Sequence, residues 1–411
     1  MSGVEEAVAE AHRREWAYVL AATVRVTRDI DAAEEAVQDA YVQALSTWES
    51  SGVPDRPGAW LTTVARRRAL NTMRRGLTLT EKLPLLLVPE ETEMTVPAEP
   101  IPDDRLRLIF TCCHPALGQE AQVALTLRLV CGVATPDIAQ AFLVPDATMA
   151  ARLTRAKKKI AAARIPYAVP DAAALPERLD AVLTVIHLLY ATGHTAPSGS
   201  SLVRDDLTTR AMDLARMLLL LLPADREVTG LLALLLAHHA RRTTRTDATG
   251  RLLRLEEQDR SLWDRAMIAE SDRLVVAPLS AGPPGRFSLQ AAIAALHAEA
   301  ATYEATDWSQ ILTLYDALLR VWPSPVVALN RAVAVSMVTG PAAALAEVER
   351  LEEKGRLAGY RYLPATKADL LSRLGRHAEA AEAYRAALAL SDNAAEQDFL
   401  VERLRSAQPT S

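Results

Sequence analysis

Apolar positions along the 411-residue chain recur at the three-to-four-residue spacing of amphipathic helices. Val4 to Arg25 reads as the first helix. A second opens near Asp31, which can cap it, and Glu34 three residues on completes a capping-box-like pair. Along it Val37, Tyr41, Ala44 and Trp48 line one stripe, while Glu35, Gln38, Asp39 and Val42 face elsewhere. The turn-rich loop WESSGVPDRPG follows. Next, AWLTTVARRRALNTMRR carries Arg66, Arg67, Arg68, Arg74 and Arg75 and no acidic residue. Leu61, Val64 and Ala65 share a face there, but Leu70 falls opposite Leu61. Either that helix is buried on two sides or its stripe is imperfect.

Thr78 to Pro102 holds five prolines and a run of glutamates and reads as a linker. As a flexible coil it would span roughly 25–30 Å, enough to hold two domains at separate sites. Helices are then expected from Asp103, through Leu106, Ile109, Phe110 and Cys113, and from Glu120 to Cys131. The segment TPDIAQAFLVPDATMAARLTRAKKKI, from Thr135 to Ile160, reads as two helices joined by a tight turn. Thr135 is a good N-cap, Pro136 fits the first helical position, and Asp146 is expected to cap the second helix. Met149, Leu153, Ala156 and Ile160 form its apolar stripe. Thr148, Arg152, Arg155 and Lys159 form another, flanked by Lys157, Lys158 and Arg164, and no acidic residue occurs between Asp146 and Asp171. A short helix, a turn and a one-sided basic helix make the geometry that enters a DNA major groove.

Beyond Pro166 the chain is leucine-rich without such basic clusters. Near its end WSQILTLYDALLRVWPSP and HAEAAEAYRAALALSDN align, Tyr315 with Tyr384 and Ala317 with Ala386. Their separation is about two tetratricopeptide periods, and GPAAALAEVERL fits between them as a degenerate copy. The alternative is a plain helical bundle.

Composition narrows the class. Half the residues are apolar, aromatics are few, and the formal net charge is −5. An all-α chain of two or three domains is expected. Positive charge is confined to patches, which suits targeted contact rather than bulk coating of nucleic acid. The N-terminus lacks an apolar signal core, and the run MLLLLLPADREVTGLLALLLAHHARR is broken at Pro223, Asp225, Arg226 and Glu227, so two buried helices are expected and no membrane span. Three cysteines without CxxC spacing suit a reducing cytoplasm. Cys112, Cys113 and His114 look reactive on paper, but adjacent helical residues point about 100° apart, and neither a metal-ligand set nor a phosphate-binding glycine loop is evident. No cofactor and no enzymatic activity are expected. His238 and His239 are taken as core-edge or surface residues, and the polar run EEQDRSLWDR, with Asp259, Arg260, Trp263 and Asp264, as either a functional loop or a buried structural network, the second being favoured because mixed charges beside a tryptophan often lock a turn.

Together these blocks resemble the extracytoplasmic-function sigma factors. DAAEEAVQDAYVQAL followed by PGAWLTTVARRRALNTMRR is similar to region 2, and EAQVALTLRLVCGVATPDIAQAFLVPDATMAARLTRAKKKI to region 4. The chain resembles the subgroup with a long C-terminal extension of tetratricopeptide-like repeats. The resemblance implies a region 2 domain over 1–77, a linker over 78–102, a region 4 helix-turn-helix over 103–166, a helical extension over 167–285 and repeats over 286–411. It implies core RNA polymerase and promoter DNA as partners, with a protein or peptide partner for the repeats. Glu35, Gln38 and Asp39 would meet the polymerase clamp. The loop from Glu49 to Pro57 and the helix after it would capture the minus-ten element. There Asn71 would contact an adenine or the backbone, and Arg66, Arg67, Arg74 and Arg75 phosphates. Trp60 either stacks on bases or packs in the core, and the direction of Arg68 is open. In region 4 Thr148 lies at the entering end, Arg152 and Arg155 reach base edges or nearby phosphates, and Lys157, Lys158 and Lys159 touch phosphates. The rival reading is a helix-turn-helix regulator with a helical sensing domain, which would not need the N-terminal acidic face and arginine helix.

Overall fold

In a computed structural model of the protein, the described residues are 3–76, 104–142, 144–195, 198–199, 203–248, 250–280 and 282–407. The linker expected over 78–102 lies outside them. The architecture is all-α; among the described residues the β-structure amounts to a parallel pairing of Ser198–Gly199 with Asp392–Asn393 and a bridge between Thr246 and Leu252. The chain divides into two compact units, residues 1–185 and 186–411.

In the first unit, α1 (Gly3–Thr27), α2 (Ile30–Ser51) and α3 (Pro57–Gly76) pack on one another. Trp16, Leu20 and Val24 of α1 are buried, and so are Val37, Tyr41, Ala44 and Trp48 of α2, the stripe expected from their spacing. The α2 cap differs from the expectation. It is Asp29, in extended conformation, whose carboxylate accepts from the N–H groups of Asp31 and Ala32 at 2.8 and 3.0 Å. Asp31 is already helical, so Glu34 lies too far along to complete a capping box. On α3 the buried stripe is Leu61, Ala65 and Ala69, and Leu70 is 40% exposed. That helix is buried on one side, with its stripe one residue short of Leu70.

The region after the linker comprises α4 (Asp104–Cys112), α5 (Gln119–Leu125) running into a π-helical turn over Thr126–Val130, α6 (Thr135–Ala141) and α7 (Asp146–Ala162). Trp16 of α1 donates its indole N–H to Leu129 O at 3.0 Å, and Tyr167 donates its hydroxyl to Ala21 O at 2.9 Å. Gly132 has φ +67°, and a Cβ there would lie 2.9–3.1 Å from His12 and Trp16, so glycine meets two constraints at once. Met149, Leu153, Ala156 and Ile160 form the buried face of α7. Its N-cap is Pro145, without a side-chain bond, rather than Asp146. Asp146 instead occupies the first turn, where a carboxylate favours the helix dipole.

Helix α8 (Leu175–His194) runs from the first unit into the second. The second unit continues with α9 (Asp205–Leu221), α10 (Arg226–His239), α11 (Arg265–Ser280) and α12 (Arg286–Glu299). The apolar run therefore forms two helices, with Asp225 capping the second through the N–H groups of Glu227 and Val228 at 2.9 Å each. Helix α10 is central, packing on α9, α11 and α12, with Leu231 to Leu236 all buried. Six helices complete the chain: α13 (Trp308–Val321), α14 (Pro325–Val338), α15 (Pro341–Glu353), α16 (Tyr362–Arg373), α17 (His377–Ala389) and α18 (Ala394–Ala407). Each packs on the next, and α14 also touches α16. Arg331 of α14 joins Asp316 of α13 at 2.6 Å and Glu347 of α15 at 2.9 Å, tying three successive helices together.

Helices α10 and α12 approach closely at Gly230, where a Cβ would lie 2.7 Å from Ser288 N. Gly230→Ala gains up to about 1 kcal/mol of helix propensity but forces backbone apart, at a cost of roughly 1–3 kcal/mol. The expected net result is a lowered urea midpoint. A midpoint unchanged or raised would mean that the helices do not meet there.

Candidate nucleic-acid interface

Three helix faces of the first unit, on α2, α3 and α7, carry most of the residues singled out in the sequence. On α2, Glu35, Gln38 and Asp39 are exposed. Asp39 pairs with Arg68 of α3 at 2.8 Å, and Arg68 also donates to Gln43 Oε1 at 3.2 Å. This settles the direction of Arg68: it reaches across to α2. Both partners are largely exposed, so the pair contributes little stability and its carboxylate can exchange partners cheaply.

On α3, Arg67, Asn71 and Arg74 are exposed at positions i, i+4 and i+7, which places them on one face. Arg66 is half-buried. Arg75 lies within α3, but its side chain is outside the described residues. Trp60 is half-buried and meets the buried Trp48 edge-to-face, with ring centroids 5.5 Å apart. It packs against the core on one edge and keeps part of its surface free.

On α7, Thr148, Arg155, Lys158 and Lys159 are exposed, opposite the Met149–Ile160 face. Arg152 is half-buried and pairs with Glu120 of α5 at 3.0 Å. Lys157 points away from the other lysines. Its ammonium donates to Asp31 Oδ1 at 2.7 Å and to Glu34 Oε2 at 2.8 Å, both on α2. Arg128, from the π-helical turn, forms an ion pair with the other oxygen of Glu34.

Glu34 is 6% exposed and accepts from two cations of the second helical block. Sequence reasoning missed Arg128 and this role of Glu34. One signal was present: Glu34 sits three residues before Val37 and seven before Tyr41, on the apolar stripe itself. A carboxylate there must find cations or remain protonated. Burial opposes the charge on Lys157, but the hydrogen bonds and charges of Asp31 and Glu34 outweigh it and raise its pKa. A raised lysine pKa gives a contribution complete below the ordinary lysine value and lost only as pH climbs through the raised one, so this term persists across neutral pH.

Elsewhere in the unit, burial raises the Cys112 and Cys113 thiols, the latter to about 12, so neither is a thiolate at neutral pH. Among the described residues no group of three or more histidine, cysteine, aspartate or glutamate side chains could hold a metal ion, and no helix is long and apolar enough to cross a membrane.

The three-helix block and the block ending in α7 correspond to known families. Residues 10–77 match Sigma-70 region 2 and residues 107–160 match Sigma-70, region 4. The chain belongs to the extracytoplasmic-function sigma factors. Residues 178–278 match a family of unknown function (DUF6596), which forms the start of the C-terminal extension. The sigma factor is 46% identical over 387 residues to an uncharacterized protein of Rhizobium meliloti (strain 1021), covering 93% of this chain and 91% of that one. No solved structure matches it. Its two sigma domains support promoter recognition together with core RNA polymerase.

The Glu34 clasp predicts non-additive energetics. In a double-mutant cycle of Glu34→Gln and Lys157→Gln, urea unfolding should give a coupling above about 1 kcal/mol, whereas additivity within about 0.5 kcal/mol would deny the contact.

Proposed function

We propose that the exposed face of α2 docks on the polymerase clamp, that the α3 face captures the minus-ten element, and that α7 reads the minus-thirty-five element. Glu35, Gln38 and Asp39 serve the first contact. Asp39 exchanges Arg68 for a partner arginine at small cost, because both ion pairs are charge-assisted and the first is solvent-exposed. Arg67, Asn71 and Arg74 meet the backbone or an unstacked base, with Arg66 and Arg75 as flanking cations and the free part of Trp60 as a stacking surface. On α7, Arg155 and Arg152 read base edges, Thr148 enters the groove, and Lys158 and Lys159 neutralise phosphates. The single supporting observation is the exposed stripe Thr148, Arg155 and Lys159, flanked by the exposed Lys158, on a helix with no acid after its first turn.

Lys157 has a different role in this reading. It holds region 4 on region 2 in the free protein and becomes available to phosphate when the two blocks separate. Separate promoter elements require that separation. The extension modulates sigma activity in cis through its serial, tetratricopeptide-like helix pairs, which offer a surface for a protein or peptide. The protein works in the cytoplasm, alongside polymerase.

Arg155→Ala should lower promoter-dependent initiation by about tenfold or more, the value of one good base contact, and leave core polymerase binding intact. Asp39→Arg should do the reverse, weakening polymerase association first. Loss of core binding by Arg155→Ala, or a wild-type complex with Asp39→Arg, would overturn the assignment.

A further inference from the structure

The second unit contains a cavity of about 300 Å³ between α10, α12, α13 and α14, which Leu255 also lines. Leu234, Ile293, Leu318 and Val327 give it apolar walls. Six polar side chains also line it: His238, Arg241, Gln290, His297, Tyr315 and Asn330. None is a carboxylate. A volume at the lower end of the ligand-pocket range, in which apolar walls meet convergent polar groups, suits a small molecule with one apolar and one polar end.

Arg241 is its charged member. The guanidinium donates to His238 Nδ1 at 3.2 Å, and among the described residues no carboxylate lies within ion-pair distance of it. Its neighbours deepen the deficit. Burial first, then Arg245 and Arg260, disfavour its charge and push its pKa down to about 10, which leaves it cationic at neutral pH. Those two arginines have carbonyl partners: Arg245 donates to His194 O, and Arg260 to His297 O and Ala300 O at 2.7 Å each. A half-buried, desolvated cation without an anion carries an electrostatic cost, and a bound anion would lower it.

The histidines are set as neutral donors. Burial lowers His238 and His297, the latter to about 4, and Arg241 pushes both the same way. His238 accepts from Arg241 at Nδ1, so its proton sits on Nε2. The Nδ1 of His297 is buried without a hydrogen-bond partner. The reading of His238 as a mere core-edge residue therefore misses its place in a cluster, where its ring lies 5.6 Å from that of His194, which in turn stacks on Tyr190.

We propose that this cavity binds a small organic carboxylate, with Arg241 gripping the carboxyl group, Gln290 and the neutral histidines completing its hydrogen bonds, and the apolar walls holding the rest of the molecule. A planar carboxylate matches one guanidinium bidentately. The leucine, isoleucine and valine walls exclude a fully hydrated anion such as phosphate. The ligand would touch α10, inside the family segment 178–278, and also α13 and α14 of the following helices, so occupancy would fasten the two parts of the unit together.

Benzoate and isovalerate, titrated calorimetrically into the full chain, test the proposal, with benzamide and inorganic phosphate as controls. At least one carboxylate should bind saturably, at least tenfold more tightly than benzamide or phosphate. Arg241→Gln should abolish that preference, and Gln290→Leu, which leaves Arg241 in place, should weaken carboxylate binding severalfold. If neither carboxylate saturates, if benzamide binds as well as benzoate, or if phosphate binds in preference, the site is not what is proposed. The wild-type comparison decides the matter even if Arg241→Gln fails to fold.

Discussion

A carboxylate buried among apolar neighbours cannot be left without cations, and the first unit is organised around that requirement. Glu34 projects from the core-facing stripe of α2, and the positive charge it needs comes from Arg128 and Lys157, more than ninety residues away in sequence. Removing either partner from such a cluster is expensive, whereas the exposed Asp39–Arg68 pair next to it costs little to break. One helix therefore carries two kinds of acid. Glu34 holds region 4, and Asp39 remains exchangeable.

The contact constrains how the sigma factor can act. Helix α7 contributes its apolar stripe to its own domain and Lys157 to α2, while Arg155, Lys158 and Lys159 remain exposed. The basic surface is thus present before any DNA is met, but one of its cations is engaged. A guanidinium or ammonium already satisfied by carboxylate gains less from phosphate than a free one does. In the proposed reading, opening the clasp opposes promoter engagement, and polymerase and DNA contacts together offset it.

Much of this was legible in the sequence. Helical periodicity located the elements, the α7 apolar stripe matched its buried face, and Pro223 with Asp225 separated α9 from α10. Local rules fell short where two residues competed for one role. Asp29 displaced Asp31 as cap because backbone conformation, not residue type, decides which carboxylate meets the free N–H groups. The partners of Glu34 were hidden because they depend on packing across a long separation. The cavity around Arg241 was hidden for the same reason: its polar lining comes from α10 and the turn after it, and from α12, α13 and α14, and each residue alone resembles an ordinary surface or core-edge position. The network around Trp263 was accessible in outline, since a tryptophan beside mixed charges suggested a locked turn. Its indole donates to Thr244 Oγ1 at 2.9 Å with Arg260 over the ring.

The central claim is that region 4 rests on region 2 in the free sigma factor and leaves it on the promoter. Spin labels at Ser46→Cys on α2 and Thr154→Cys on α7, both exposed positions, report the separation directly. The account predicts a single short distance in the free protein that lengthens when core polymerase and promoter DNA are added. A distance that stays unchanged on the promoter, or that is already long and broad in the free protein, would contradict it.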